Sequence, residues 1–135
     1  MAVTNFDIIS AKVPVAIKTA SYTISAGESG TVFGMATDAK VFTLPATEAG
    51  LTYTFVNMGA DGNNIITISP AAVDGIFGGV HGAATGDLVS FSGTDDKDAI
   101  NTKATALKGD YLTLVGDGVN GWYVVAGKGV WASQG

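Results

Sequence analysis

Short runs in which apolar and polar residues alternate recur along the whole 135-residue chain, and each run is flanked by Gly, Pro, Asn or Asp. Clear examples lie at residues 51–56, 65–68 and 111–115. Alternation with a period of two is typical of strands with one buried face, and the flanking residues are those that turns require. Short strands at this spacing predict an all-β fold, built as a single compact antiparallel β-sandwich or barrel with an extended N-terminal arm.

Three segments have some helical character, but none of them changes this fold class. Residues 38–40 are too few, and residues 46–49 have room for a single turn between Pro45 and Gly50. Residues 95–108 place acidic residues first and lysines last, which suits a helix dipole. Their β-branched residues favour a strand, so we predict a loop that leads into a strand.

Two Asp-Gly sequences predict β-hairpins. Asp61-Gly62 interrupts the strand-like residues 53–66, and Asp117-Gly118 interrupts residues 111–123. Asp-Gly pairs tolerate the positive φ angles of tight hairpin turns. We therefore expect the two runs that flank each turn to be antiparallel neighbours in one sheet.

The N-terminal segment differs from the rest of the chain, so the predicted organisation is an arm or edge strand at residues 1–18 and a β domain at residues 19–135. Pro14 is incompatible with a central strand. The segment fits an arm that joins a neighbour's sheet as well as an edge strand of its own domain. The segment's residues expected to contact a partner or a neighbouring subunit are Phe6, Ile8, Ile9, Val13 and Val15.

Both tryptophans lie near the C-terminus, and the sequence predicts different roles for them. Trp122 follows a turn directly, where a large aromatic residue usually closes a hairpin core. Trp131 lies close to the end of the chain, and we expect it to contact a partner.

Few residues are suited to catalysis or metal binding. The chain has no cysteine and a single histidine, His81, so it lacks the usual ligands of zinc. Asp95, Asp96 and Asp98 do not follow the spacing of a calcium loop, and no serine lies in a Gly-x-Ser-x-Gly sequence. We predict no catalytic residue, no cofactor and no metal site.

The charge pattern disfavours a nucleic-acid partner. All seven basic residues are lysines, and twelve acidic residues give a net charge of −5. Proteins that bind phosphate backbones usually carry a basic patch rich in arginine. No apolar run approaches the roughly 20 residues of a membrane span, so we expect neither nucleic acid nor membrane as a partner. A 47% share of apolar residues favours contact with another protein.

Four segments carry a resemblance to a known class of proteins: residues 22–30, 42–45, 48–56 and 121–125, with Trp131 nearby. Together they resemble the head decoration, or cement, proteins of tailed bacteriophages. The resemblance implies a non-enzymatic β domain that forms a homo-oligomer, with a trimer favoured. It also implies synthesis in the host cytoplasm and a place on the outer capsid surface of the virion, where the protein would stabilise the lattice of the major capsid protein.

Three alternatives remain open on the sequence. A tail or tail-fibre structural module would use the same strands and turns. A carbohydrate-binding module would need exposed aromatic residues such as Trp131, Tyr111 or Tyr123. A small hydrolase would need His81 or the two glutamates, Glu28 and Glu48.

Overall fold

The computed structural model describes residues 12–81 and 88–134, and these residues form two β-sheets packed face to face. Helical structure within them is limited to two short 3₁₀ turns, at Ala26–Glu28 and Lys103–Thr105. The prediction of an all-β sandwich is confirmed. The strands are Val15–Lys18 (β1), Tyr22–Thr23 (β2), Val32–Met35 (β3), Lys40–Thr43 (β4), Thr52–Asn57 (β5), Ile66–Ser69 (β6), Gly75–His81 (β7), Leu88–Ser92 (β8), Ala99–Asn101 (β9), Tyr111–Gly116 (β10), Gly121–Lys128 (β11) and Trp131–Ser133 (β12).

Seven strands form the large sheet, in the order β1-β3-β5-β10-β11-β7-β8, and five form the small sheet, in the order β12-β9-β6-β4-β2. From β1 to β6, successive strands lie alternately in the large sheet and the small sheet, so the chain winds through the sandwich as a coil. Each turn of the coil brings the chain back in the same direction beside its previous turn. In the large sheet, Val15 lies opposite Val32, and Val32 lies opposite Thr54.

This winding corrects the prediction of an antiparallel sandwich, because both sheets are mixed. The pairs β1–β3 and β3–β5 are parallel in the large sheet, as are β2–β4 and β4–β6 in the small one. Antiparallel pairs appear later in the chain, in β7–β8 and β10–β11. Alternation of residue types defines a strand and its buried face, but it carries no information on the direction of the neighbouring strand.

One of the two predicted hairpins is confirmed and the other is wrong. β10 and β11 are antiparallel neighbours on either side of the Asp117 turn. In contrast, β5 lies in the large sheet and β6 in the small one. The Asn57 side chain shapes this connection, since it accepts a hydrogen bond from the Gly59 amide (3.0 Å) and donates one to the Asn64 carbonyl (3.2 Å).

The weak helical segments are extended or turn-like. Lys40 already belongs to β4, and residues 46–49 contain no helical turn. Residues 95–98 form a loop that leads into β9, as predicted, and the 3₁₀ turn Lys103–Thr105 follows that strand.

Aromatic side chains fill much of the space between the sheets. Phe33 and Phe55 stack with ring centroids 6.0 Å apart, and Phe42 of the small sheet lies 5.2 Å from Phe55. Tyr53 continues the cluster to Trp122, at 5.7 Å. Trp122 is fully buried, which confirms its predicted place in the core.

Trp131 is also buried in the core of its own domain, and this corrects the expectation that it contacts a partner. Its side chain is 1% exposed, and its indole nitrogen donates a hydrogen bond to the Lys128 carbonyl (3.0 Å). β12 pairs with β9 at the edge of the small sheet, so a residue near the chain end is held inside. A tryptophan this deeply buried has no surface to offer to a second protein.

Three glycines allow the backbone to pass closely where β11, β7 and the end of β8 meet. Gly121 lies opposite Gly75 in the parallel β11–β7 pair, and Gly121 has a φ of +143°. A Cβ atom on Gly121 would overlap the backbone of Gly75, and one on Gly75 would overlap the carbonyl of Gly93. At Gly75 and Gly121, only glycine can be accommodated without displacing the neighbouring main chain.

Candidate interaction surface

The outward-facing side of the large sheet, called the outer face below, is the most distinctive surface of the domain. Side chains alternate along β5 and β10 between fully buried and partly exposed positions, so every second residue points outward. One charged side chain, Lys128, lies opposite Tyr111 at the end of β11 and pairs with Asp110. The other outward side chains that define the outer face are uncharged. They are Val15, Ile17, Val32, Thr52, Thr54, Val56, Phe77, Tyr111, Thr113, Val115, Tyr123 and Val125.

Strand register arranges these residues in rows across the sheet. Val15, Val32 and Thr54 follow one another from β1 to β5, and the hydroxyl oxygens of Thr54 and Thr113 lie 2.9 Å apart. Such contacts between neighbouring strands contribute about 0.2–1 kcal/mol each. The outer face is therefore a continuous surface of methyl, hydroxyl and aromatic groups.

A second row is completed by a side chain from a loop. Ile17, Gly34 and Val56 are register partners on β1, β3 and β5. A Cβ atom on Gly34 would overlap the side chain of Met58, so the thioether occupies the space that the glycine leaves. Met58 adds a flexible apolar group to the surface, which is a common feature of protein-binding surfaces.

The most exposed apolar residues of the outer face lie on β1 and β11. Val15 and Ile17 are 58% and 62% exposed, and Tyr123 and Val125 are 42% and 60% exposed. Tyr123 stacks on Phe77 with ring centroids 5.1 Å apart. At about 4.8 Å between strands and 3.3 Å per residue, the face covers about 500 Å², the size at which apolar patches are often functional.

The corresponding side of the small sheet is richer in hydroxyl groups. Its outward residues include Thr23, Thr43, Thr67 and Ser69. Hydroxyl side chains remain hydrated at less cost than aliphatic ones. Burial against a partner would therefore be more favourable for the outer face than for the corresponding side of the small sheet.

Most charged residues lie in the loops at the ends of the sandwich, where several organise turns. Glu28 accepts hydrogen bonds from the Ser25 amide (2.9 Å) and the Tyr22 hydroxyl (2.7 Å). The Ser25 amide is the main reason that the pKa of Glu28 lies below its ordinary value. Asp117 accepts from the amides of Gly121, Val119 and Asn120 with one carboxylate oxygen, and these bonds lower its pKa as well.

These two carboxylates predict how the stability of the domain depends on acid. Their folded-state pKa values lie below the ordinary 4.5 of Glu28 and 3.8 of Asp117. Each charge therefore stabilises the fold above those ordinary values, and the contribution is lost as pH falls through the lowered ones. We expect the melting temperature to fall below about pH 4.5. The double variant Glu28→Gln, Asp117→Asn should have a lower melting temperature than the wild type at pH 7, and its melting temperature should fall less on acidification. Parallel curves of melting temperature against pH for the two proteins would contradict this assignment.

A buried polar cluster connects the two sheets at the end where β5 finishes. Asn57 donates to the side-chain oxygen of Asn101 (2.8 Å), and Asn101 donates to a carboxylate oxygen of Asp110 (3.3 Å). The same Asp110 oxygen accepts from the Leu107 amide (2.9 Å), and the other one pairs with Lys128 (3.3 Å). The Asp110 side chain has no exposed surface.

A depression of about 360 Å³ opens above this cluster. Both carboxylate oxygens of Asp110 already have partners, so the cluster is explained by its role in holding β9, β10 and β11 together. Among the described residues, no group of three His, Asp or Glu side chains is arranged to hold a metal ion. The depression is lined by His81, Thr105, Leu107, Asp110, Lys128, Gly129 and Val130.

The residues required by the hydrolase alternative do not form a common site with free functional groups. Both carboxylate oxygens of Glu28 accept hydrogen bonds from Ser25 or Tyr22, and Glu48 lies exposed in the loop between β4 and β5. His81 is exposed at the end of β7. For the carbohydrate alternative, Tyr123 is exposed and Tyr111 is half-buried.

The structure places the predicted partner-binding residues in three different settings. Phe6, Ile8 and Ile9 lie outside the described residues. Val13 and Val15 are exposed beside and within β1, which is the end strand of the large sheet. Residues 15–18 pair with β3 of the same domain. Trp131 is buried, as described above.

Sequence reasoning missed Ile17 and Val125 as surface residues. For Ile17 the signal was present, because the alternation of Val13 and Val15 continues to Ile17. For Val125 there was none, since its exposure results from a shift in register between β10 and β11 that leaves it without a partner on β10.

Comparisons with known proteins add no identification. No protein-family model matches the chain, and no curated protein matches it. Within residues 12–81 and 88–134, no helix has the length and apolar character needed to cross a membrane.

Proposed function

We propose that the protein is a non-enzymatic structural protein of a tailed-phage virion, and that it binds the outer surface of the capsid and stabilises the lattice of the major capsid protein. The observation that carries this proposal is the outer face of the large sheet, on which Lys128 is the one charged side chain among the described strands. A surface with a single charged side chain at its end can be covered by another protein with little removal of ions from water. The resemblance of the sequence to head decoration proteins supplies the identity of the partner.

The outer face offers an anchor for such a contact at the stacked pair Tyr123 and Phe77. Aromatic residues contribute much of the binding energy of protein interfaces, particularly where surrounding residues exclude water. Val125 and Val115 lie close to this pair in the sheet and provide apolar surroundings. Because a capsid presents many equivalent sites, an oligomeric protein can combine several weak contacts into firm attachment.

The test compares variants of the two outer sides of the sandwich on capsids that lack the protein. Tyr123→Ser and Val125→Asp should each weaken binding by about 30-fold, since loss of an anchor costs about 2 kcal/mol. Ala132→Asp is the matched control, because Ala132 is exposed on the small sheet. Binding is measured by co-sedimentation, and stabilisation by the temperature at which the particles release DNA.

Three outcomes would contradict the proposal. Capsids that bind the protein and yet release DNA at an unchanged temperature would exclude the stabilising role. Equal loss of binding by Ala132→Asp and Val125→Asp would exclude the outer face as the contact. Gold-labelled antibody on the tails of virions, with none on the heads, would replace the proposal with the tail or tail-fibre alternative.

A further inference from the structure

The large sheet ends at β1, and the described residues place no strand on the outer side of β1. The carbonyl of Pro14 accepts a hydrogen bond from the Val32 amide of β3 (2.9 Å), so the backbone groups of Pro14 point toward β3. Backbone groups of successive residues point to opposite sides of a strand. The amides and carbonyls of Val13, Val15 and Ile17 therefore point away from β3, toward the open edge.

Pro14 does not interrupt this open edge. Its missing amide hydrogen would have pointed toward β3, on the same side as its carbonyl. The residues that point outward all retain their donors. Proline commonly protects an edge strand from pairing, but at this position it leaves the outward row of donors and acceptors complete.

Charge does not protect the edge either. Lysine side chains often prevent unwanted pairing of edge strands, and Lys18 is the one charged residue of β1. Its ammonium group lies 3.8 Å from the ring centroid of Tyr22. Tyr22 in turn donates to Glu28, whose negative charge lies close enough to interact with Lys18. This lysine is therefore engaged by Tyr22 of β2, the end strand of the small sheet, and by Glu28.

Both ends of the small sheet are shorter than β1, whereas β8, at the other end of the large sheet, has five residues. In the small sheet, β2 has two residues and β12 has three. The stretch from Val13 to Ile17 combines a complete row of backbone groups with three apolar side chains that are 58–64% exposed. Exposed strand edges of this kind readily pair with another strand.

We propose that the open edge of β1 pairs with β1 of a second copy of this chain, antiparallel and about a two-fold axis centred on Val15. In that register Val15 lies opposite Val15 of the second copy, and Val13 of each copy lies opposite Ile17 of the other. Each of these three pairs joins outward-pointing residues, which exchange two hydrogen bonds per pair in an antiparallel ladder. The same pairs place apolar side chains against each other on the outer face, where such contacts are favourable.

A second copy is the occupant that the edge itself fits, because an identical strand repeats the same donors, acceptors and apolar side chains under two-fold symmetry. Lys12 would lie opposite Lys18 of the second copy, and Glu28 offsets the charge of that lysine. The pairing would also join two large sheets, so their outer faces would become one surface. The inference does not depend on binding to a capsid.

The experiment uses the residue that would face itself across the axis. At about 100 μM, sedimentation equilibrium should give twice the 13.6 kDa mass of the chain. Val15→Lys and Val15→Glu should each raise the dissociation constant at least tenfold, because like charges would lie directly opposite. An equimolar mixture of the two variants should restore the dimer, since each lysine then faces a glutamate.

Val125→Lys is the matched control, because it adds the same charge to an equally exposed valine of the outer face away from β1. It should leave the dimer unchanged. A monomeric or trimeric wild-type protein would overturn the proposal, and so would a Val15→Lys variant that remains dimeric. Failure of the mixed variants to associate would overturn the register centred on Val15. A monomer could still bind capsids, so these outcomes are distinguishable from failure of the proposed function.

Discussion

Replacing Gly121 with alanine is expected to destabilise the domain by about 3 kcal/mol or more, from combined overpacking and backbone strain. The added Cβ atom would overlap the backbone of Gly75, and main-chain atoms in a paired strand cannot move aside as a side chain can. The φ of +143° is also unfavourable for alanine. Denaturant unfolding followed by tryptophan fluorescence measures the effect, since Trp122 is buried beside this crossing.

Gly50→Ala is the control that separates backbone strain from overlap. Gly50 has a φ of +88°, and no atom lies within 4 Å of the position a Cβ would take. This variant should lose only about 1–2 kcal/mol, the cost of placing an L-residue in the left-handed region. Equal losses of unfolding free energy in Gly50→Ala and Gly121→Ala would show that the close approach of β11 and β7 contributes nothing to the destabilisation of Gly121→Ala.

The second large effect is expected for Asp110→Ala, which should lower the free energy of unfolding by about 3–5 kcal/mol. Alanine would remove the acceptor for the Leu107 amide and for the buried Asn101 side chain. Buried donors without partners are costly, and this cluster joins strands of both sheets. Urea unfolding curves and amide hydrogen exchange at Asn101 and Leu107 measure the loss.

Lys128→Ala tests whether the charge pair or the hydrogen-bonded cluster accounts for this stability. The Lys128 side chain is 59% exposed, whereas that of Asp110 is fully buried. A partly exposed ion pair contributes about 1 kcal/mol or less, so Lys128→Ala should cost far less than Asp110→Ala. Similar losses in the two variants would assign the effect to the ion pair and contradict the role given to Asn101.

The sequence was sufficient to predict strands and their buried faces, because residue alternation reports burial directly. Tyr53 and Phe55 are buried, while Thr52 and Thr54 are partly exposed, as the pattern of residues 51–56 indicates. The β10–β11 hairpin was also predictable, since both of its strands and its turn are contiguous in sequence.

Pairing between strands that are distant in sequence was not predictable. Gly62 has the positive φ of 72° that an Asp-Gly turn suggests, and yet the chain crosses to the other sheet there. β5 already has β3 and β10 on its two sides, so no place remains beside it for β6. Turn chemistry is local, whereas the choice of neighbour depends on which strands compete for an edge.

The candidate surface was predictable only in part, for the same reason. Val13 and Val15 were identified from their apolar character, and their exposure agrees with a surface role. Trp131 was assigned to the surface from its place near the chain end, but the pairing of β12 with β9 holds it in the core. The scarcity of charge on the outer face became visible only when strand register aligned residues from β1, β5, β10 and β11.

The coil formed by β1 to β6 has a consequence for the order in which the protein folds during synthesis. Val15 and Val32 are paired across 17 residues, and Val32 and Thr54 across 22, whereas Thr54 and Thr113 are paired across 59. Pairing over short separations is faster. We therefore expect the N-terminal turns to assemble on the emerging chain, and β5 to present an open edge until the ribosome has completed β10.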